Sequence, residues 1–282
     1  MTTFLIASDF SSRAEQALRM GVLLARQSGA TLKLVYAIDA DQPASLLDAQ
    51  RQQAELMLQR QATTIEQSDS VTCHYGVAIA AGIDEAVLSA ADADTALIIL
   101  GRHRERPLRD LFLSSTSERI IAHASCPVLV VQTPPLEPHT RLLVATDTSQ
   151  ADLAATAVIA SHPITAQLPT TLLHVVGSLE DSPAAANRVA ADSQALLDAR
   201  QAASAQRALD TFVQQSSLSA VNIRVEVNPG PTANTILDVA TREGADLVAV
   251  RRRSTDHAIE ALLRPSVCTR LLNSAAVDLL IL

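Results

Sequence analysis

Short apolar runs alternate with longer segments of helical character along the chain. In the first half, runs that are long enough for strands lie at 3–8, 31–38, 71–77, 95–100 and 127–131, separated by helix-compatible stretches at 11–28, 43–68, 82–92 and 115–124. Apolar runs of this length with turn residues at both ends are typical of buried strands. The pattern predicts five strands and four helices in the first half.

The second half repeats the beginning of the first. TFLIASDFSSRAEQAL near the start and RLLVATDTSQADLAATA from 141 each give an apolar run, an aspartate and then helix-start residues. Asp9 and Asp147 are the paired positions, 138 residues apart. Further apolar runs predict strands of the second half near 141–146, 169–176, 221–227, 246–251 and 278–282.

A proline-rich segment separates the two halves. The sequence TPPLEP at 133–138 favours extended backbone and interrupts the periodicity on both sides. We therefore predict a first domain at 1–133, a linker at 134–138 and a second, divergent domain at 139–282.

Strands that are joined through helices are parallel, and right-handed crossovers place the helices on both faces of the sheet. The predicted fold class is α/β, with two tandem doubly wound parallel five-stranded sheets. Ligands of such sheets bind beyond the carboxyl ends of the strands, where the strand order reverses. The residues to inspect follow the first and fourth strands, at Asp9 and Gly101 in one half and at Asp147 and Arg251 in the other.

At these positions the chain resembles the universal stress proteins, once per half, as in tandem members of that family. The resemblance rests on the aspartate after the first strand, a remnant of the pattern G-x2-G-x9-G-[ST] after the fourth, and SERIIAHASCPVLVV at 117–131. It implies an adenine nucleotide alpha hydrolase-like fold with strand order 3-2-1-4-5. It also implies a nucleotide site, with Asp9 at the adenine and ribose side and Ala7 and Ala37 along the base.

The glycine pattern is degraded in both halves. The first half keeps Gly101 and Ser115 but has Arg104 and Ser114 at the other two positions, whereas the second has Arg251, Ser254, Arg264 and Pro265. Glycines let successive N–H groups converge on a phosphate, and proline has no N–H to donate. We expect that the second domain does not hold ATP in the manner of the family.

The candidate site residues therefore form two sets. For nucleotide binding in the first domain they are Ala7, Asp9, Ala37, Gly101, His103, Arg104, Ser114, Ser115 and Thr116. For the degenerate second cleft they are Asp147, Arg251, Arg252, Arg253, Ser254 and Arg264. No catalytic or metal-binding residue is assigned. Asp9 with the Phe10-Ser11-Ser12 segment is equally explained as the beginning of a helix.

Arginine is dense in both degenerate loops. RHRERPLRD at 102–110 and RRRSTDHAIEALLR at 251–264 each carry four arginines and two acids. One hypothesis is that guanidinium groups replace the lost glycines and bind a phosphate or another multivalent anion. The alternative is that they form ion pairs that close the clefts, with Glu105, Asp110, Asp256 and Glu260 as candidate partners.

Composition narrows the classes of function. A net charge of -8 with 2% aromatic residues and no tryptophan disfavours nucleic-acid binding, and the apolar runs are far shorter than the ~20 residues that span a membrane. The only lysine, Lys33, follows no glycine-rich loop, which excludes a P-loop. The segment MTTFLIASDF lacks the basic start of an export signal, so a cytoplasmic location is expected.

The sequence predicts a non-catalytic, cytoplasmic stress-response protein that acts as a sensor or binding module. Its ligand would be ATP or another phosphate-bearing anion in the first domain. One alternative is slow ATP hydrolysis, with Asp9 and the Ser114-Ser115 loop positioning nucleotide and Mg²⁺; another is a protein-interaction scaffold without ligand. The apolar segments CPVLVV and AAVDLLIL suit pairing of edge strands, and the resemblance implies an internal pseudo-dimer. Formation of a homodimer by two chains is a further possibility.

Overall fold

The computed structural model of the chain describes residues 1–102, 115–177, 191–218, 221–228, 231–252 and 267–282. The first half contains β1 (Thr3–Ser8), α1 (Ser12–Ser28), β2 (Thr31–Asp39), α2 (Ala44–Asp69), β3 (Cys73–Ala80), α3 (Ile83–Ala90), β4 (Thr95–Gly101), α4 (Thr116–His123) and β5 (Val128–Val131). The second half contains β6 (Leu142–Ala145), α5 (Gln150–Ser161), β7 (Thr170–Gly177), α6 (Ala191–Gln215), β8 (Asn222–Asn228), α7 (Thr232–Glu243), β9 (Leu247–Val250), α8 (Val267–Ser274) and β10 (Asp278–Ile281).

The chain forms two compact units. The first holds Met1–Pro138 together with Ala276–Ile281, and the second holds the other described residues. In the first unit the strand order is β3-β2-β1-β4-β5-β10, and in the second it is β8-β7-β6-β9. All pairings among β1 to β5 and among β6 to β9 are parallel. The predicted α/β fold with a mostly parallel sheet is confirmed.

Every apolar run that was predicted to be a strand is a strand in the structure. Turn residues on both sides of each run end the strand there. The largest shift of a bound is three residues, at Ala80, which ends β3. The cores are aliphatic: the central residues of β1 and β4, such as Leu5 and Ile98, are fully buried. Buried runs of this kind fit a parallel sheet that is covered on both faces.

β10 adds an antiparallel strand to the first unit. It pairs with β5 so that Leu279 lies opposite Val130 and Ile281 opposite Val128. The carboxylate of Asp278, which is 2% exposed, accepts a hydrogen bond of 2.8 Å from the backbone N–H of Gln132. This pairing satisfies backbone groups that β5 would otherwise leave unpaired at an edge.

None of the described helices combines the length and apolar character that crossing a membrane requires.

Candidate functional site

A cleft of about 840 Å³ lies beyond the carboxyl ends of β1, β2 and β4 in the first unit, and we call it the first cleft. Small and branched apolar residues form part of its lining, namely Ala7, Ala37, Ile83, Val87, Leu100 and Ile120. Polar and charged residues that also line it are Asp9, Arg13, Asp39, Gln42, Gln50 and Arg102. Apolar walls with a few polar groups are typical of small-molecule sites.

The turn from β1 into α1 fixes Asp9 at this cleft. The Asp9 carboxylate accepts the N–H of Ser11 at 3.0 Å, and the hydroxyl of Ser8 accepts the N–H of Phe10 at 3.2 Å. Ser11 is the N-cap of α1, where its hydroxyl accepts the N–H of Ala14 at 3.3 Å. Asp9 therefore orders the turn before the helix, and its carboxylate is exposed at the first cleft.

The second unit repeats this turn bond for bond. The Asp147 carboxylate accepts the N–H of Ser149 at 3.0 Å, and the hydroxyl of Thr146 accepts the N–H of Thr148 at 2.9 Å. Ser149 caps α5 by accepting the N–H of Asp152 at 3.2 Å. Phe10 (φ 57°) and Thr148 (φ 62°) share the left-handed backbone conformation. The internal repeat thus extends to the geometry of the turn.

Sheet register identifies the residues that differ between the two units. Phe4 lies opposite Leu97 in the first unit, and Leu142, at the position of Phe4, lies opposite Leu247 in the second. Counting from these pairs, Arg251 takes the place of Gly101. By the same repeat, Asp152 takes the place of Ala14 on the first turn of the helix.

Gly101 is required by close packing. A Cβ atom built on it would lie 2.6 Å from the carbonyl carbon of Arg13 and 3.1 Å from the nitrogen of Ala14. Both neighbours are backbone atoms of the first turn of α1, which cannot rotate away. The first glycine of the loop pattern is therefore explained here by the approach of α1 to the end of β4.

In the second unit the same two positions carry an ion pair. Nε of Arg251 lies 2.5 Å from Oδ1 of Asp152, and its Nη2 lies 3.8 Å from Oδ2 of Asp147. The second oxygen of Asp152 accepts the hydroxyl of Thr146 at 2.9 Å and the N–H of Asp147 at 2.7 Å. Asp152 is thus a buried carboxylate with three donors, an arrangement that compensates the loss of hydration.

This ion pair takes the places that Gly101 and Ala14 hold at the first cleft. Thr146, Asp152 and Arg251 also border a small cavity of about 10 Å³ between α5 and the strands β6 and β9, which has room for about one water molecule. Ion pairing of Arg251 agrees with one of the two alternatives for the arginine-rich segment, although its partners are Asp147 and Asp152. Asp256 and Glu260 lie outside the described residues.

The N-terminus of α4 is capped by a carboxylate of the chain itself, that of Glu118. The N–H of Ser115 donates to Oε2 of Glu118 at 2.7 Å, and the Glu118 N–H donates to the Ser115 hydroxyl at 3.2 Å, which completes a capping box. Ser115 is 3% exposed, and Thr116 and Ser117 line the first cleft. The N–H of Ser115 is therefore committed to the protein.

An ion pair ties the two helices that flank the first cleft. Nη2 of Arg119 on α4 lies 2.9 Å from Oδ1 of Asp84 on α3. The hydrogen bond from the guanidinium lowers the pKa of Asp84 and raises that of Arg119. The pair fixes the spacing of α3 and α4, and with it the width of the cleft at that side.

The structure brings together five of the nine residues predicted for the first domain. Ala7, Asp9, Ala37, Gly101 and Thr116 line the first cleft, whereas Ser115 lies in the cap of α4. His103, Arg104 and Ser114 lie outside the described residues. Of the second set, Asp147 and Arg251 meet, and the Arg252 carbonyl accepts a hydrogen bond from Nη1 of Arg251. Arg253, Ser254 and Arg264 lie outside the described residues.

Several polar residues of the first cleft were not predicted from the sequence. Asp39 ends β2 and Gln42 follows it, both in the run DADQP at 39–43, and that run was the available signal. Gln50 lies within a glutamine-rich helix, where no pattern distinguishes it from Gln52 or Gln53. Within the described ranges, no group of three or more His, Cys, Asp or Glu side chains is arranged to hold a metal ion.

Comparison with known proteins agrees with the fold and the repeat. The model of the universal stress protein family matches the chain twice, at residues 1–132 and 138–282. The chain belongs to this family and is a tandem, two-domain member. Universal stress protein Sll1388 from Synechocystis sp. is 28% identical over 148 residues, which cover 45% of this chain and 96% of that protein.

Two solved structures extend the likeness to the full length. A universal stress protein from Archaeoglobus fulgidus covers 99% of this chain and 95% of its own, with a TM-score of 0.69 and 15% identity. A putative universal stress protein from Pseudomonas aeruginosa covers 100% and 93%, with a TM-score of 0.61 and 18% identity. At these identities the likeness concerns the fold.

Because Gly101 is closely packed, adding a single methyl group at this position should have a large effect on the stability of the protein. We expect Gly101→Ala to lower the free energy of unfolding by about 1–3 kcal/mol, because backbone atoms of α1 occupy the space of the new Cβ. Gly76→Ala is the matched control, since a Cβ at Gly76 meets nothing within 4 Å. Urea denaturation measures both. Equal effects of the two substitutions would contradict the packing role.

The buried Arg251–Asp152 ion pair predicts strong energetic coupling between its two charges. We expect Arg251→Gly alone to cost about 3–5 kcal/mol in unfolding free energy, since it leaves the buried Asp152 carboxylate without its counter-charge. Adding Asp152→Ala recreates the glycine–alanine pair of the first unit and should recover about 1–3 kcal/mol. A double-mutant cycle in urea measures this coupling.

The control cycle uses Arg224 and Glu243, an exposed pair at 2.9 Å in the same unit, for which coupling below about 1 kcal/mol is expected. Coupling between Arg251 and Asp152 that is no larger than in this exposed pair would contradict the stabilising role of the buried ion pair.

Proposed function

We propose that this universal stress protein is a binding module with one ligand site per chain, in the first cleft. The ligand class is a nucleotide or a related small molecule with a phosphate group. The second domain, in this proposal, binds no ATP and acts as a structural partner of the first. The output is recognition of the ligand, and no chemical turnover is assigned.

The observation that carries the proposal is a difference between the two repeats at the end of the fourth strand. The turns after β1 and β6 are alike, yet Gly101 and Ala14 line a cleft of about 840 Å³, whereas the Arg251–Asp152 ion pair takes their places in the second unit. A mononucleotide fits a site of several hundred cubic ångströms. The side chains that replace the glycine and the alanine therefore support a ligand site in the first repeat alone.

The charges of the first cleft support an anionic group at one side of the ligand. Arg13, on the first turn of α1, and Arg102, directly after β4, both line it. Guanidinium groups bind phosphate through paired hydrogen bonds and keep their charge at every physiological pH. They offer a substitute for the backbone N–H groups that a glycine-rich loop would supply.

We also propose that the two domains form an internal pseudo-dimer. The antiparallel pairing of β5 with β10 supports this, because β10 is the last strand of the second sequence repeat. The linker at 134–138 is part of the same proposal.

The repeat supplies a matched pair of variants for the binding experiment. We expect Asp9→Ala to weaken nucleotide binding at least about tenfold, because it removes a carboxylate from the first cleft. Asp147→Ala removes the corresponding turn carboxylate of the second unit, and with it the same hydrogen bond to a serine N–H. It should leave binding unchanged.

Isothermal titration of the full chain with ATP and with AMP measures affinity and stoichiometry. One site per chain that depends on Asp9 supports the proposal. Two equivalent sites, or equal losses in the two variants, contradict it. Magnesium-dependent phosphate release that disappears in Asp9→Ala would instead support the hydrolase alternative.

A further inference from the structure

The first unit ends in a strand that has a neighbour on one side. Within the described part of the chain, β3 is the outermost strand of this unit and pairs only with β2. The N–H of Leu32 donates to the carbonyl of Thr72 at 2.9 Å, and the N–H of Ala40 donates to the carbonyl of Ala80 at 2.7 Å. In a parallel ladder every second residue of a strand bonds to the same neighbour. The even-numbered residues of β3 therefore bond to β2.

The odd-numbered residues of β3 direct their backbone N–H and C=O groups to the open edge. At the beginning of the strand, the N–H of Cys73 donates to Oε1 of Glu66 at 3.2 Å, so the chain itself covers this donor. The next outward groups belong to Tyr75, Val77 and Ile79, and their N–H groups have no hydrogen-bond partner among the described residues. Unpaired backbone groups of this kind are a template for a further strand.

β3 lacks the residues that commonly prevent a further strand from pairing with an edge. Its sequence, CHYGVAIA, contains no Asp, Glu, Lys, Arg or Pro. In β8, the edge strand of the second unit, Arg224 and Glu226 take the positions of Gly76 and Ala78, and both form ion pairs with α7. Charged side chains and prolines on an edge strand oppose the addition of another strand. Of the two edges, that of β3 favours a partner strand.

An apolar surface lies beside the open edge of β3. Tyr75 and Ile79 on β3, and Leu56 on α2, are large apolar residues with exposed side chains. A groove of about 510 Å³ lies between β3 and α2 and is bordered in part by Leu56 and Tyr75. Because the side chains of a strand alternate between its faces, Tyr75, Val77 and Ile79 share the face towards this groove. A strand added to the edge would cover these side chains as well as the backbone groups.

The open edge is complementary to a second copy of itself. When two β3 strands run antiparallel with Val77 on the twofold axis, the outward groups of Val77 meet those of Val77 of the partner subunit. Tyr75 then lies opposite Ile79 of the partner subunit, and each such pair exchanges both backbone hydrogen bonds. An aromatic residue opposite a β-branched one is a favourable cross-strand pair, and no like charges meet in this register.

We propose that β3 is the interface of a symmetric homodimer, in which the β3 strands of two chains pair antiparallel about Val77. The same surface is used in both chains, so assembly through this edge closes at the dimer. Leu56 and the groove beside α2 add side-chain contacts on one face of the joined sheet. The proposal concerns assembly and does not depend on the nucleotide site.

Sedimentation of the full chain over about a hundredfold range of concentration tests the assembly. We expect the wild type to pass from monomer to dimer. Ile79→Lys should raise the dissociation constant at least about tenfold, because it places a charge beside the ring of Tyr75 of the partner subunit. Val158→Lys is the matched control, since Val158 is an apolar residue of α5 that is 39% exposed, against 42% for Ile79. It should leave the dissociation constant unchanged.

Amide hydrogen exchange followed by NMR tests whether β3 forms the interface. The Val77 amide should exchange more slowly as the concentration rises, while the amide of Val225, at the same position of β8, keeps its rate. A wild-type chain that stays monomeric, or a dimer that Ile79→Lys does not weaken, would overturn the proposal.

Two further results of the exchange experiment would also overturn the proposal. Slow exchange of the Val77 amide at every concentration would mean that a segment of the same chain covers the edge. Rapid exchange at every concentration would mean that a second copy does not cover it, and would leave the edge to a strand of another protein.

Discussion

The approach of a helix to the end of a strand is the main physical difference between the two halves of this protein. Where β4 ends, Gly101 lets the backbone of α1 come so close that no side chain fits between them. At the corresponding place in the second unit, the Arg251–Asp152 ion pair joins the strand end to α5. Both arrangements anchor the first helix of their unit, one by close packing beside a cleft of about 840 Å³ and the other by a buried ion pair.

This exchange leaves the turn of the second unit intact. The turn that bears Asp147 keeps every hydrogen bond of its counterpart, since those bonds begin the helix whether or not a ligand is present. Arg251 then offers a permanent positive charge to carboxylates in the same region. Asp152, with three donors, is satisfied without water or a bound molecule. The carboxylate at the position of Ala14 is therefore held by groups of the second unit itself.

Sequence patterns predicted what depends on local order and missed what depends on distant contacts. The strands and both aspartate turns follow from apolar runs and cap residues that are neighbours in the chain. Arg251 and Asp152 are 99 residues apart, so the sequence favours acids nearer to Arg251, such as Asp256, as its ion-pair partners. Likewise, the sequence pattern places Gly101 in a phosphate loop. Its contact with Arg13 could not be predicted, because that contact exists only after β4 and α1 have packed. The linker at 134–138 remains a prediction.

The central proposal, that the ligand site belongs to the first repeat alone, can be tested with reporters at equivalent positions. Ala7 and Ala145 occupy the same position of the repeat, in β1 and β6, and Ala7 lines the first cleft. In a nucleotide titration followed by backbone amide NMR, we expect a saturable shift of the Ala7 resonance and none of the Ala145 resonance. Saturable shifts of both resonances at the same nucleotide concentrations would contradict the proposal.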